Sequence, residues 1–194
     1  MEMTIVKRSL QSGLVLLICV VAIAGCSEYS AKRELSGKGY ELKNDSMLRA
    51  IDKGDIESVR LFLTAKLELN PQYGQTPLHR AVAKRQNSIV DLLVASGASA
   101  NNPGSNGDSE PLDIAIFYCD EALVLKLISA GANINKKSDV ERTTPLAKAK
   151  LHATITSYKC FKIVKFLEDK GARCEAPPEI DFKTGVLRPS KICE

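Results

Sequence analysis

The chain begins with a polar stretch carrying Lys7 and Arg8, then runs uncharged and mainly aliphatic from Leu14 to Gly25, and turns polar again directly after Cys26 at Ser27-Glu28-Tyr29-Ser30. A charged start, a short apolar core and small residues before a break are the three parts of a secretory signal. The apolar run is 12 residues long, well short of the roughly 20 that a bilayer-spanning helix needs. Residues 1–25 therefore read as a signal peptide, with Cys19 discarded inside it. Residues 26–46, through Lys32-Arg33-Glu34, Ser36-Gly37-Lys38-Gly39 and Asn44-Asp45-Ser46, show little helical periodicity and read as a flexible tether.

Beyond residue 46 the apolar positions recur in a fixed order. Gln75-Thr76-Pro77-Leu78-His79-Arg80-Ala81 is followed by Ile89-Val90-Asp91-Leu92-Leu93 and Ser96-Gly97-Ala98. The order returns at Glu110-Pro111-Leu112-Asp113-Ile114-Ala115, Leu123 to Ile128 and Ala130-Gly131-Ala132, and again at Thr144-Pro145-Leu146, Ile163 to Leu167 and Lys170-Gly171-Ala172. A degenerate first copy runs from Met47 through Asp55 and Val59 to Leu63, ending near Asn70. Each copy predicts two helices. Pro77, Pro111 and Pro145 sit where a first turn begins and a missing N–H is harmless. Thr76 and Thr144 can cap that turn, while Glu110 replaces the cap in the third copy. Gly97, Gly131 and Gly171 stand where a left-handed residue ends the second helix. Leu, Ile and Val at helical spacing supply the buried stripe.

These motifs resemble the ankyrin repeat, a unit of turn, two helices and loop. The resemblance implies an all-α solenoid of about four helix-turn-helix repeats over 47–70, 71–103, 104–137 and 138–176, with a tail over 177–194. From Pro145 to Gly171 is 26 residues against 20 from Pro77 to Gly97, so the fourth copy carries an insertion within Leu151 to Cys160 that lengthens its first helix or its loop. The connection 101–108, rich in Asn, Gly and Pro, predicts an exposed finger. The tail is expected to cover the open apolar end. Ile23-Ala24-Gly25-Cys26 is similar to the bacterial lipobox, which implies a diacylated Cys26 as the mature N-terminus. Ser27 after it resembles the class sorted to the periplasmic face of the outer membrane.

Composition narrows the function. The formal charge is +4, and +3 once Lys7, Arg8 and Glu2 leave with the signal, too small and scattered an excess for nucleic acid. Two histidines, His79 and His152, stand in no catalytic arrangement, and His79 resembles the structural hydrogen-bonding residue of the repeat turn. Neither a Gly-rich phosphate loop nor a Cys-x-x-Cys pair occurs. No catalytic residue, metal ligand or cofactor is expected, and an enzyme is the least supported class. Cys119, Cys160, Cys174 and Cys193 read as disulfide partners in an oxidising compartment, with free buried thiols as the other reading. Three pairings are open. Aligned on the repeats, Cys119 and Cys160 fall at the turn between paired helices of neighbouring copies, Cys174 follows the last helix and Cys193 lies in the tail. That favours Cys119–Cys160 and Cys174–Cys193, provided the Cα atoms come within about 7 Å.

The ankyrin resemblance places a protein-binding surface on the fingers and the exposed side of the first helices: Tyr73, Gln75, Lys84, Asn106, Asp108, Phe117, Tyr118, Arg142 and His152, continued by Asp52 and Lys53. Phe117 and Tyr118 are the aromatic anchors of that surface. Small ankyrin lipoproteins of this layout are similar to periplasmic immunity proteins that neutralise secreted lipase effectors, which implies a protein partner of that kind and a membrane contact through the lipid. An envelope scaffold or stress-protection lipoprotein binding a resident protein is the alternative.

Overall fold

The computed structural model describes residues 25–72, 74–102, 109–138, 142–156, 160–180, 187–188 and 190–193. The signal stretch through Ala24, and Tyr73, Asn106 and Asp108 of the expected surface, lie outside the described residues. The chain divides into two compact units, Met1–Ala50 with Asp55–Leu67 and Ile51–Gly54 with Glu68–Glu194.

The first unit departs from the sequence expectation. Residues 25–37 form a helix, α1, where a flexible tether was expected over 26–46. Ala31 and Leu35, one turn apart, are buried, as is Tyr40 just beyond. Two apolar residues at i and i+4 give α1 a narrow stripe to bury, and the rest of its surface is mostly serine and charged residues, which is why no periodicity stood out. α2 (Asn44–Asp52), which belongs to this unit through Ala50, and α3 (Ile56–Thr64) complete its helices. Met47, Ala50, Val59 and Phe62 are buried within it, and Tyr40 meets Phe62 edge to face at 5.7 Å between ring centres. Asp55 caps α3, its carboxylate accepting from the Ser58 amide at 3.0 Å. Lys66, at φ +56°, occupies the left-handed position after α3 that Gly97, Gly131 and Gly171 occupy after the later second helices.

The second unit carries three helix pairs: α4 (Pro77–Ala83) with α5 (Asn87–Ala95), α6 (Pro111–Phe117) with α7 (Glu121–Ser129), and α8 (Pro145–Thr156) with α9 (Phe161–Asp169). Each first helix starts at its proline. Thr76 accepts from the His79 amide at 3.1 Å. Glu110 makes no capping hydrogen bond and instead ion-pairs with Lys136. Five of the six extra residues of the last copy lie in α8, which has 12 residues against seven in α4 and α6. Leu78, Leu93, Leu112, Ile116, Leu123, Leu127, Ile163 and Leu167 form the core between pairs.

Asparagines couple successive loops. Asn70 donates to the Gly97 carbonyl at 3.1 Å and accepts from the Ser99 amide at 2.7 Å. Asn101 does the same one repeat later, to Gly131 at 2.9 Å and from Asn133 at 2.7 Å. Asn135 then accepts from the Arg173 amide at 2.6 Å.

The tail pairs β1 (Glu179–Ile180) antiparallel with β2 (Leu187–Arg188) and ends in a short 3-10 turn, Lys191–Cys193. Its last turn lies beside α8: Ser190 and Ile192 line a cleft with α6 and α8, and Lys191 and Ile192 line a second hollow with Leu151, Phe161 and Val164 of α8 and α9. Ile155 and Phe161 remain 69% and 56% exposed.

A cleft on the first helices

Two disulfides frame this side of the second unit. Cys119 takes φ +48° in the turn between α6 and α7, which brings its Cα within 4.9 Å of that of Cys160, the buried residue before α9. Cys174, after α9, is bonded to Cys193 in the tail with Cα atoms 5.5 Å apart. Among the described residues Cys26 is the free cysteine, and it is exposed.

Between α6, α8 and the tail lies a cleft of about 620 Å³. Ile114, Phe117 and Tyr118 line it from α6 and its cap, Ala147, Leu151 and His152 from α8, and Pro177, Pro178, Ser190 and Ile192 from the tail. At its floor Lys148 donates to Asp113 at 2.8 Å, with both side chains buried. An opposed pair in hydrogen-bonding contact is the arrangement in which buried charge is tolerated. Mostly apolar walls with a few placed polar groups, in this range of volume, are the usual make-up of a binding site.

The lip of the cleft is aromatic. Phe117 is 61% exposed and Tyr118 44%. Phe117 packs edge to face on Tyr118 at 5.3 Å and on His152 at 5.2 Å, a favoured geometry for such rings. The Arg85 guanidinium lies over the Tyr118 ring at 5.9 Å while donating to Asp120 at 3.1 Å. The structure thus brings Phe117, Tyr118 and His152 into one cluster. Gln75, Lys84 and Arg142, also expected on this surface, do not join it. Gln75 is half-buried, with its amide nitrogen 2.7 Å from Nδ1 of buried His79, so it supports the turn. Lys84 is exposed and faces Asp52 at 3.8 Å, while Arg142 is exposed with φ +53°.

Sequence reasoning missed the floor and the far wall. Asp113 occupies the repeat position that His79 holds in the preceding copy. A carboxylate there demands a cation from the next repeat, a signal legible once the copies are aligned. Nothing local in the tail announced that Pro177, Pro178 and Ile192 would return to α8. The tail's root is anchored by Thr144, whose hydroxyl donates to the Arg173 carbonyl at 2.7 Å and accepts from the Glu175 amide at 2.9 Å. A hydrogen bond and ion pair with Lys137 hold the exposed Glu175 carboxyl below its usual range. Among the described residues no group of three His, Cys, Asp or Glu side chains is placed to hold a metal ion.

A family model for ankyrin repeats, three copies, matches residues 30–103 and 46–138. The chain belongs to the ankyrin-repeat family. Ankyrin repeats are protein-interaction modules, generally without enzymatic activity, and the aromatic lip lies on their first-helix side. Rabankyrin-5 of Mus musculus is 37% identical over 83 residues, covering 37% of this chain and 7% of that protein. The NF-kappa-B inhibitor cactus of Drosophila melanogaster is 24% identical over 177 residues, covering 88% of this chain and 33% of that protein. The RelA-associated inhibitor of Mus musculus is 41% identical over 61 residues, covering 31% and 7%. The chain thus spans a third or less of the length of these ankyrin proteins.

Proposed function

We propose that this ankyrin-repeat chain is a protein-binding module of the bacterial cell envelope, held on the periplasmic face of the outer membrane by lipid on Cys26, and that it neutralises a secreted antibacterial phospholipase as an immunity protein does. The observation that carries the binding part is the cluster of Phe117, Tyr118 and His152. Large exposed rings, held in place by one another beside an apolar cleft, are what interface anchors require. Two of the relatives bear the name of inhibitors, so the repeat is compatible with that mode of action. The envelope location is supported by the apolar run and Ile23-Ala24-Gly25-Cys26. Among the described residues no helix is long and apolar enough to cross a membrane.

The test is to direct a phospholipase effector encoded beside this gene to the periplasm of a sensitive bacterium, with and without this chain. Restored growth, and loss of phospholipid hydrolysis when the two purified proteins are mixed, is the expected result. Continued killing with the chain present would overturn the immunity reading, and tight binding without rescue would point to an envelope scaffold.

A further inference from the structure

The cleft has walls of two origins, one made by repeat helices and one by the tail, and the tail wall is secured differently at its two ends. Its near end is fixed by Thr144 and by the ion pair of Glu175 with Lys137. Its far end, where buried Ser190 and half-buried Ile192 face the cleft, is followed directly by Cys193, which the bridge to Cys174 returns to the root. Among the described residues between the two ends the regular pairing is β1 with β2, two residues each, and so small a strand pair is marginal by itself. Ile192 is thus held from two sides, by its packing against α8 and by the covalent bridge one residue further on.

The charged residues of the lining, Asp113 and Lys148, are satisfied by each other. A charged occupant would lose its water without gaining a counter-ion, whereas an uncharged apolar one meets no such cost. We propose that Pro177, Pro178, Ser190 and Ile192 of the tail are part of the binding surface: with α6 and α8 they form a socket for an uncharged, apolar stretch of the protein partner, and the Cys174–Cys193 bridge holds that socket in shape. The proposal rests on the protein-binding reading above. Opening it takes a dithiol reductant, which delivers two electrons and is oxidised to its own disulfide. The bridge gains these electrons and two protons and becomes two thiols.

The test uses the full chain and an uncharged apolar fluorophore, N-phenyl-1-naphthylamine, beside its sulfonated relative 1-anilinonaphthalene-8-sulfonate. The oxidised protein should bind the uncharged probe at least tenfold more tightly than the anionic one. Cys174→Ser/Cys193→Ser should weaken binding of the uncharged probe at least tenfold with the far-UV helical signal retained. Ile192→Asp, which leaves the bridge in place, should do the same and keeps the proposal testable if the serine variant unfolds. Leu125→Ser, at an exposed α7 position outside the cleft lining, should leave probe binding unchanged. Equal affinity for both probes, or binding indifferent to the bridge and to Ile192, would overturn the socket. Bridge-dependent probe binding that the phospholipase fails to displace supports the socket and overturns the phospholipase reading instead.

Discussion

Lys148 crosses from the first helix of the fourth repeat to Asp113 on the first helix of the third, and the two charges meet at 2.8 Å with both side chains buried. The pair joins neighbouring repeats at the floor of the cleft, so its loss should act on stability and on the binding surface together. Lys148→Met leaves a buried carboxylate without its cation and should cost about 3 kcal/mol in urea unfolding. Asp113→Leu with Lys148→Met removes both charges and should recover most of that loss. A single variant as stable as the parent would mean that water reaches the site and replaces the lysine.

The bridge between Cys119 and Cys160 spans 41 positions in sequence. Its removal by Cys119→Ala/Cys160→Ala should cost about 2–4 kcal/mol. Alkylation and mass spectrometry of protein prepared without reductant should find both sulfurs blocked from labelling. Two labelled thiols would show that they act as ordinary small apolar side chains.

Asn101 serves two loop groups at once, the Gly131 carbonyl and the Asn133 amide. Asn101→Ala should lower stability by about 1 kcal/mol or somewhat more, the net worth of one or two hydrogen bonds. Asn101→Asp keeps the acceptor and loses the donor, so its thermal midpoint should fall between those of the parent and the alanine variant.

Lys66 holds φ +56° at the end of α3, a conformation that a Cβ disfavours. Its ion pair with Glu28 is long, 3.6 Å, and exposed, so little is lost with the side chain. Lys66→Gly should therefore stabilise the protein by about 0.5–1 kcal/mol, read as a raised urea midpoint. A lowered midpoint would show that the glycine's extra freedom in the unfolded chain outweighs the relief of strain.

Tyr118 contributes an exposed ring to the lip of the cleft. Tyr118→Ala should weaken binding of the proposed phospholipase partner about thirtyfold, which corresponds to about 2 kcal/mol, while the melting temperature stays near that of the parent. Arg142→Ala, at an exposed polar position, should weaken it far less. A Tyr118→Ala protein that binds as before would move the interface to another face, with α8 beyond Leu151 the next place to look.

Much of the architecture could be read from the chain because ankyrin repeats announce their boundaries locally. Pro77, Pro111 and Pro145 begin first helices, and Gly97, Gly131 and Gly171 take positive φ after second helices. Lys66 shows where that code fails, since it fills the same role with a residue that carries no signal. α1 escaped notice because Ala31 and Leu35 are a single buried pair among Lys32, Arg33, Glu34 and Ser36. The cleft was half legible. Phe117, Tyr118 and His152 sit on outward first-helix positions that repeat alignment identifies. Asp113 with Lys148, and Ile192 against α8, are meetings between distant segments, and the periodicity of either segment carries no trace of them.

α1 also changes what a lipid on Cys26 would mean mechanically. A flexible chain from Cys26 to Gly37 could extend at roughly 3.3 Å per residue and let its cargo sweep a wide volume above the bilayer. A helix rises about 1.5 Å per residue, and this one is seated by Ala31 and Leu35. The connection is then a strut rather than a leash. The first unit would ride within about 2 nm of its acyl chains, with little freedom to search, so a partner would have to arrive at the membrane surface to be caught.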